Sequence, residues 1–92
     1  MKLTVEFLGI SRVLAQAKES LVEVDDQATL RDVLRVLASK HPALIGPVID
    51  PKTYALSPSY MLNINGRQVV RDLDGRPKDG QQLLLMFVEA GG

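Results

Sequence analysis

Cysteine is absent from this chain, which removes disulfides, thiolate metal sites and any cysteine nucleophile from consideration. Tryptophan is absent too, and two tyrosines and two phenylalanines make up the aromatic content. Aliphatic side chains must therefore carry the core. Net charge is also missing, because eleven basic residues cancel eleven acidic ones. A neutral chain lacks the positive field that dominates nucleic-acid affinity and the polybasic patch that holds a protein to an anionic membrane. The opening Met1-Lys2-Leu3-Thr4-Val5-Glu6 alternates polar and apolar residues without a long apolar run. That is the pattern of neither a signal peptide nor a membrane span, and the expectation is a soluble cytoplasmic domain.

The 92 residues make one domain, and 46% of them are hydrophobic, mostly Leu and Val. Leu3, Val5 and Phe7 alternate with polar residues, the two-residue period of a half-buried strand that Gly9 ends. Residues 10–19 form a connector in which Ile10, Val13 and Leu14 have the spacing of a short helical turn. Leu21 to Val24 reads as a second strand, closed by a turn at Asp25-Asp26-Gln27.

The clearest element follows. Thr29 is a good N-cap, and Asp32 three residues on is a variant capping-box partner. Leu30, Val33, Leu34, Leu37 and Ala38 recur at helical spacing, with Arg31, Asp32, Arg35 and Ser39 on the other face. Lys40 and His41 suit the helix's C-terminal dipole, and Pro42 discourages continuation.

Residues 43–59 contain Pro47, Pro51 and Pro58 and read as an irregular loop with room for one short turn. Leu62 and Ile64 then alternate with Met61, Asn63 and Asn65. Asn65-Gly66 is a strong signal for a type I′ hairpin turn, with Gln68-Val69-Val70 as the return strand. A further turn at Lys78-Asp79-Gly80 precedes Leu83 to Val88, which is apolar throughout.

Two strands, one helix and three strands compose an α+β chain. An uninterrupted apolar strand is expected at the centre of a sheet, covered on both faces. With the last strand beside the first, this order is the ubiquitin-like β-grasp: a five-stranded mixed sheet curled around one main helix. A ferredoxin-like reading would need one more helix within 43–59. The expected division is a β-grasp domain over 1–88 and a flexible diglycine tail over 89–92.

Several stretches resemble a known family. Val5-Glu6-Phe7-Leu8-Gly9-Ile10-Ser11-Arg12-Val13-Leu14 and Thr29-Leu30-Arg31-Asp32-Val33-Leu34 resemble the opening and the helix start of the molybdopterin synthase small subunit. Ile64-Asn65-Gly66-Arg67, Asp79-Gly80-Gln81-Gln82-Leu83-Leu84-Leu85 and the terminal Ala90-Gly91-Gly92 are similar both to that subunit and to the thiamine-pathway sulfur carrier. The chain thus resembles the ubiquitin-like sulfur carriers of the MoaD/ThiS type, closest overall to the molybdopterin synthase small subunit. One departure is Met86-Phe87-Val88-Glu89, where molybdopterin-type members often carry prolines.

The resemblance implies chemistry at Gly92. A free α-carboxylate has a pKa of about 3.5 and is an anion at neutral pH, hence a poor electrophile. An activating enzyme that uses ATP would adenylylate it, and a sulfur donor would displace AMP to leave a thiocarboxylate. The sulfur would go to a partner, here the molybdopterin synthase large subunit. Glycine adds no width in a narrow channel and accepts many backbone angles, which suits Ala90, Gly91 and Gly92 to threading a partner's active site. At roughly 3.3 Å per extended residue, Glu89 to Gly92 spans about 13 Å. The carrier itself is expected to have no catalytic residue, no metal and no bound cofactor, ATP being consumed by the activating enzyme. Alternatives are a thiamine- or cysteine-pathway carrier, a protein modifier joined through Gly92 to lysine, and a β-grasp binding domain whose tail has no role.

Other residues divide into sharp and bland readings. If Leu83, Leu85 and Phe87 face the helix, then Leu84, Met86 and Val88 lie on the far side of the sheet as a partner-docking patch, unless the 43–59 loop covers them. His41, the single histidine, reads as a helix-end residue. Asp72-Leu73-Asp74-Gly75 is similar to the start of a calcium loop, but the position needing a bidentate acid is Leu83. Arg67, Arg71, Arg76 and Lys78 read as solvated surface, with a lesser expectation of steering an acidic partner.

Overall fold

The alternation of Leu3, Val5 and Phe7 becomes strand β1 (Lys2–Phe7) in the computed structural model, which describes residues 1–88. All three side chains are buried on one face. Helix α1 (Ile10–Ala15) follows at once and stops where Gln16 turns left-handed, at φ 55°. The short helical turn expected from the spacing of Ile10, Val13 and Leu14 is this helix, and Leu14 packs against the core. Val13 is 74% exposed, Ile10 is exposed as well, and Ser11 is fully buried. The helix turns Ser11 fully inward, with Leu14 and Ala15 half-buried against the core beside it.

Strand β2 (Glu19–Glu23) returns antiparallel to β1, with Leu3 opposite Val22 and Val5 opposite Ser20. The pairing starts two residues earlier than Leu21 because Ser20 and Val22 both point inward. Leu21 is left on the opposite face, exposed.

Helix α2 (Leu30–Lys40) matches its local signals closely. The Asp32 N–H donates to Thr29 Oγ1 at 3.2 Å, and the Thr29 N–H donates to Asp32 Oδ2 at 2.9 Å. Two further N–H groups of the first turn, on Leu30 and Arg31, donate to the carbonyls of Gly75 and Leu73, both at 2.9 Å. These bonds satisfy donors that a helix start otherwise leaves open. The apolar stripe predicted for the helix is the buried one: Leu30, Val33, Leu34, Leu37 and Ala38. His41 caps the other end, its N–H donating to the Leu37 carbonyl at 2.8 Å, and Lys40 reaches the Leu21 carbonyl.

The 43–59 segment is more ordered than an irregular loop. A 3₁₀ turn at Pro42–Leu44 opens it, and Leu44, Val48 and Ile49 are fully buried in the core with α2. Asp50 Oδ1 accepts the N–H groups of Lys52 and Thr53 at 2.8 and 2.9 Å and folds the segment back. The extra helix of a ferredoxin-like fold is not there among the described residues.

Three strands complete the sheet: β3 (Tyr60–Ile64), β4 (Gln68–Val69) and β5 (Gln82–Phe87). The order is β2-β1-β5-β3-β4, with β5 parallel to β1 and antiparallel to β3. The last strand is therefore central, as its apolar run predicted. Between β3 and β4, Asn65 and Gly66 stand at φ 54° and 72°, the double left-handed geometry of a type I′ turn, and the Arg67 N–H donates to the Ile64 carbonyl at 3.0 Å. This is the ubiquitin-like β-grasp.

Centrality did not bring cover on both faces. Leu83 and Leu85 are buried against the helix side, whereas Leu84 and Met86 on the other face are only half-buried. Phe87 shares the parity of Leu83 and Leu85 but is 45% exposed, because it lies past the core at the strand's end.

Candidate functional site

Glu89, Ala90, Gly91 and Gly92, the expected tail and its reactive end, lie outside the described residues. The structure defines the platform from which they leave. The Val88 N–H donates to the Ser59 carbonyl at 2.6 Å, and the rings of Tyr60 and Phe87 meet edge to face with centroids 5.5 Å apart. On the other flank, the Leu8 N–H donates to the Leu85 carbonyl at 3.1 Å, and the Ser11 hydroxyl lies 3.1 Å from the same oxygen. The end of β5 is held on one side as far as Leu85 and on the other as far as Val88.

Apolar surface surrounds this exit. Phe87 and Val88 are 45% and 38% exposed, and Ile10 of α1 is exposed as well.

The register decides which residues border Leu84 and Met86. Leu84 lies between Glu6 of β1 and Asn63 of β3, and Met86 stands opposite Met61. Asn63 is paired in turn with Val69 of β4. The sheet face opposite α2 therefore presents Met61, Leu84, Met86 and Val69, with the nearly buried Asn63 among them. Met61 and Val69 were not among the residues marked from the sequence. Alternation put Met61 on that face, but only strand pairing sets it beside Met86. The 43–59 segment sends Leu44, Val48 and Ile49 into the core on the helix side. Neither Leu84 nor Met86 is among the residues packed against that core.

The titratable groups have structural work. The Thr29 backbone N–H holds the Asp32 carboxyl below its ordinary range, helped by the Thr29 hydroxyl and Arg35. The Asp50 carboxyl is lowered by the backbone N–H of Thr53 and then that of Lys52. His41 packs edge to face on Phe7, with centroids 5.2 Å apart, at the end of α2. Asp72 Oδ1 accepts the Asp74 N–H at 2.9 Å, and Asp74 pairs with Arg31 at 3.2 Å, so this segment is a turn that braces α2. Among the described residues, no three His, Cys, Asp or Glu side chains are grouped to hold a metal ion, and no helix is long and apolar enough to cross a membrane.

Sequence and fold comparisons agree with this architecture. The family model described as "ThiS family" matches residues 5–92, a span that includes the diglycine. The chain belongs to the ThiS family. These are ubiquitin-like sulfur carriers and modifiers. Small archaeal modifier protein 3 of Haloferax volcanii is 34% identical over 95 residues, covering the whole of both chains. The crystal structure of SAMP1 from the same organism superposes with a TM-score of 0.86 at 25% identity, again over the whole of both chains. A putative molybdopterin converting factor, subunit 1, from Pyrococcus furiosus has a TM-score of 0.77 over 97% of this chain and 99% of its own. Its identity of 22% makes that a likeness of fold alone.

Proposed function

We propose that this ThiS-family chain is a carrier that works through the carboxylate of Gly92. The observation behind this reading is the family match that runs through Gly92, four residues beyond Val88, where the central strand β5 has just been anchored to Ser59. The Val88 N–H bond to Ser59 fixes the point of the sheet after which the sequence runs on to Gly92.

The chemistry has two steps, both on a partner enzyme. The Gly92 carboxylate attacks the α-phosphorus of ATP, giving an acyl-adenylate and releasing pyrophosphate. A sulfur nucleophile then adds to the acyl carbon and expels AMP, leaving a thiocarboxylate as the sulfur-donating group. Ala90 and Gly91 thread the partner's channel, and Leu84, Met86 and Val88 dock the body beside it. Molybdopterin synthesis is the destination that the resemblance of the N-terminal half favours.

A second reading has a specific observation behind it. The relative that is 34% identical over its whole length is named a modifier protein. In that role a lysine amine, in place of sulfur, attacks the activated acyl group and forms an amide.

Intact mass after incubation with ATP, a sulfide source and the host's activating enzyme tests the carrier. The expected result is exchange of one oxygen for sulfur, located on Gly92. Lysine-linked species in cell extract would favour the modifier. No mass change, with the enzyme shown to be active, would leave a β-grasp binding domain whose tail has no role.

A further inference from the structure

Three arginines far from the core signals converge on one groove. Arg67 follows the type I′ turn, Arg71 follows β4, and Arg76 follows the Asp72–Gly75 turn, yet all three line a groove of about 610 Å³. Its lining also includes Leu30, Ile64 and Val70, so the charge rims an aliphatic floor, with Val69 at its margin. The bonds from Leu30 and Arg31 to the carbonyls of Gly75 and Leu73 pin this wall to α2.

The three guanidinium groups have no ion pair among the described residues, where the pairs formed are Met1–Asp26, Lys2–Glu23, Arg31–Asp74 and Arg35–Asp32. One carboxylate, Asp72, lines the groove, and it already accepts a backbone N–H of its own turn. The groove is therefore cationic although the whole chain is neutral. The compensating acids include Glu19, Glu23, Asp25 and Asp26, on or just after β2, which occupies the opposite edge of the sheet from β4.

The groove also adjoins the apolar face. Val69 lines it, is 38% exposed, and pairs with Asn63, which is itself opposite Leu84. A partner seated on Met61, Leu84 and Met86 would bring its margin over the arginines.

We propose that this groove binds an acidic segment of a partner protein, with carboxylates on Arg67, Arg71 and Arg76 and an aliphatic side chain on the floor. Guanidinium groups pair with carboxylates through parallel N–H bonds, and the aliphatic floor favours a peptide over a phosphate backbone. The lack of an aromatic side chain in the groove further disfavours nucleic acid. The proposal deepens the docking part of the reading above by stating the partner's chemistry.

The test is an amide NMR titration of the full chain with a peptide of alternating glutamate and leucine. A lysine–leucine peptide and inorganic pyrophosphate serve as comparisons. The expected shifts fall on Leu30 and residues 64–76, weaken as salt is raised, and need more peptide to appear with Arg71→Glu. Arg76→Glu provides the same weakening should Arg71→Glu fail to fold. Reversing one rim charge should weaken binding by about tenfold. Equal binding of the lysine peptide, binding unaffected by both reversals, or full competition by pyrophosphate would overturn the proposal. None of these outcomes involves Gly92, so failure here leaves the mass test of the carrier independent.

Discussion

The hydroxyl of Ser11 lies 3.1 Å from the carbonyl oxygen of Leu85, linking the first helix to the strand that carries the tail. The same hydroxyl is 3.0 Å from the Leu8 carbonyl, and Ser11 is fully buried. Leu85 keeps a second donor, the Leu8 N–H at 3.1 Å. Ser11→Ala should therefore cost only about 1 kcal/mol, read as a lowered urea midpoint with an unchanged slope. Ser11→Leu should cost more, because the site is packed. Equal midpoints for wild type and Ser11→Ala would show that the bond contributes nothing net.

The capping box at Thr29 makes a paired prediction. Thr29→Ala should cost about 1 kcal/mol by removing the acceptor for the Asp32 N–H. The Asp32 and Asp50 carboxyls are both held below their ordinary values by backbone N–H groups, those of Thr29 and Thr53 first. A depressed folded-state value contributes stability above the unfolded pKa, and that stability is lost as pH falls through the folded value. Stability should accordingly decline below about pH 4. Asp32→Asn and Asp50→Asn should flatten that decline in thermal melts across pH 2 to 7; an unchanged acid limb would refute the assignment.

Ile49 tests whether the 43–59 segment is core. Its side chain is fully buried, and Ile49→Ala should destabilise the domain by about 2–5 kcal/mol. A loss no larger than that of a surface substitution would mean the segment is an appendage.

Met86 separates docking from packing. It is half-buried on the face opposite α2, beside Met61. Met86→Asp should reduce transfer by the activating enzyme while the unfolding midpoint stays near that of the wild type. If the midpoint collapses instead, the patch belongs to the core.

Much of the fold was legible because its causes are local. The capping box, the stripe from Leu30 to Ala38 and the Asn65-Gly66 turn act over a few residues, and the structure places each where the spacing predicted. The apolar run of Leu83 to Val88 announced a central strand. It misled about Phe87, since apolarity states what a residue favours and not how far the core extends. The spacing of Ile10, Val13 and Leu14 announced the short helix α1, although local spacing could not say that Ile10 and Val13 would stay exposed.

The sequence by itself determined the elements, the hairpin turn, the neutral charge and the diglycine end. Each depends on neighbours along the chain or on simple counting. Only the tertiary structure decided that Leu44, Val48 and Ile49 enter the core, that Met61 stands beside Met86, and that Arg67, Arg71 and Arg76 share one groove. Those relations follow from strand order and register, which are set by the summed burial of residues distant in the chain. No local pattern encodes them.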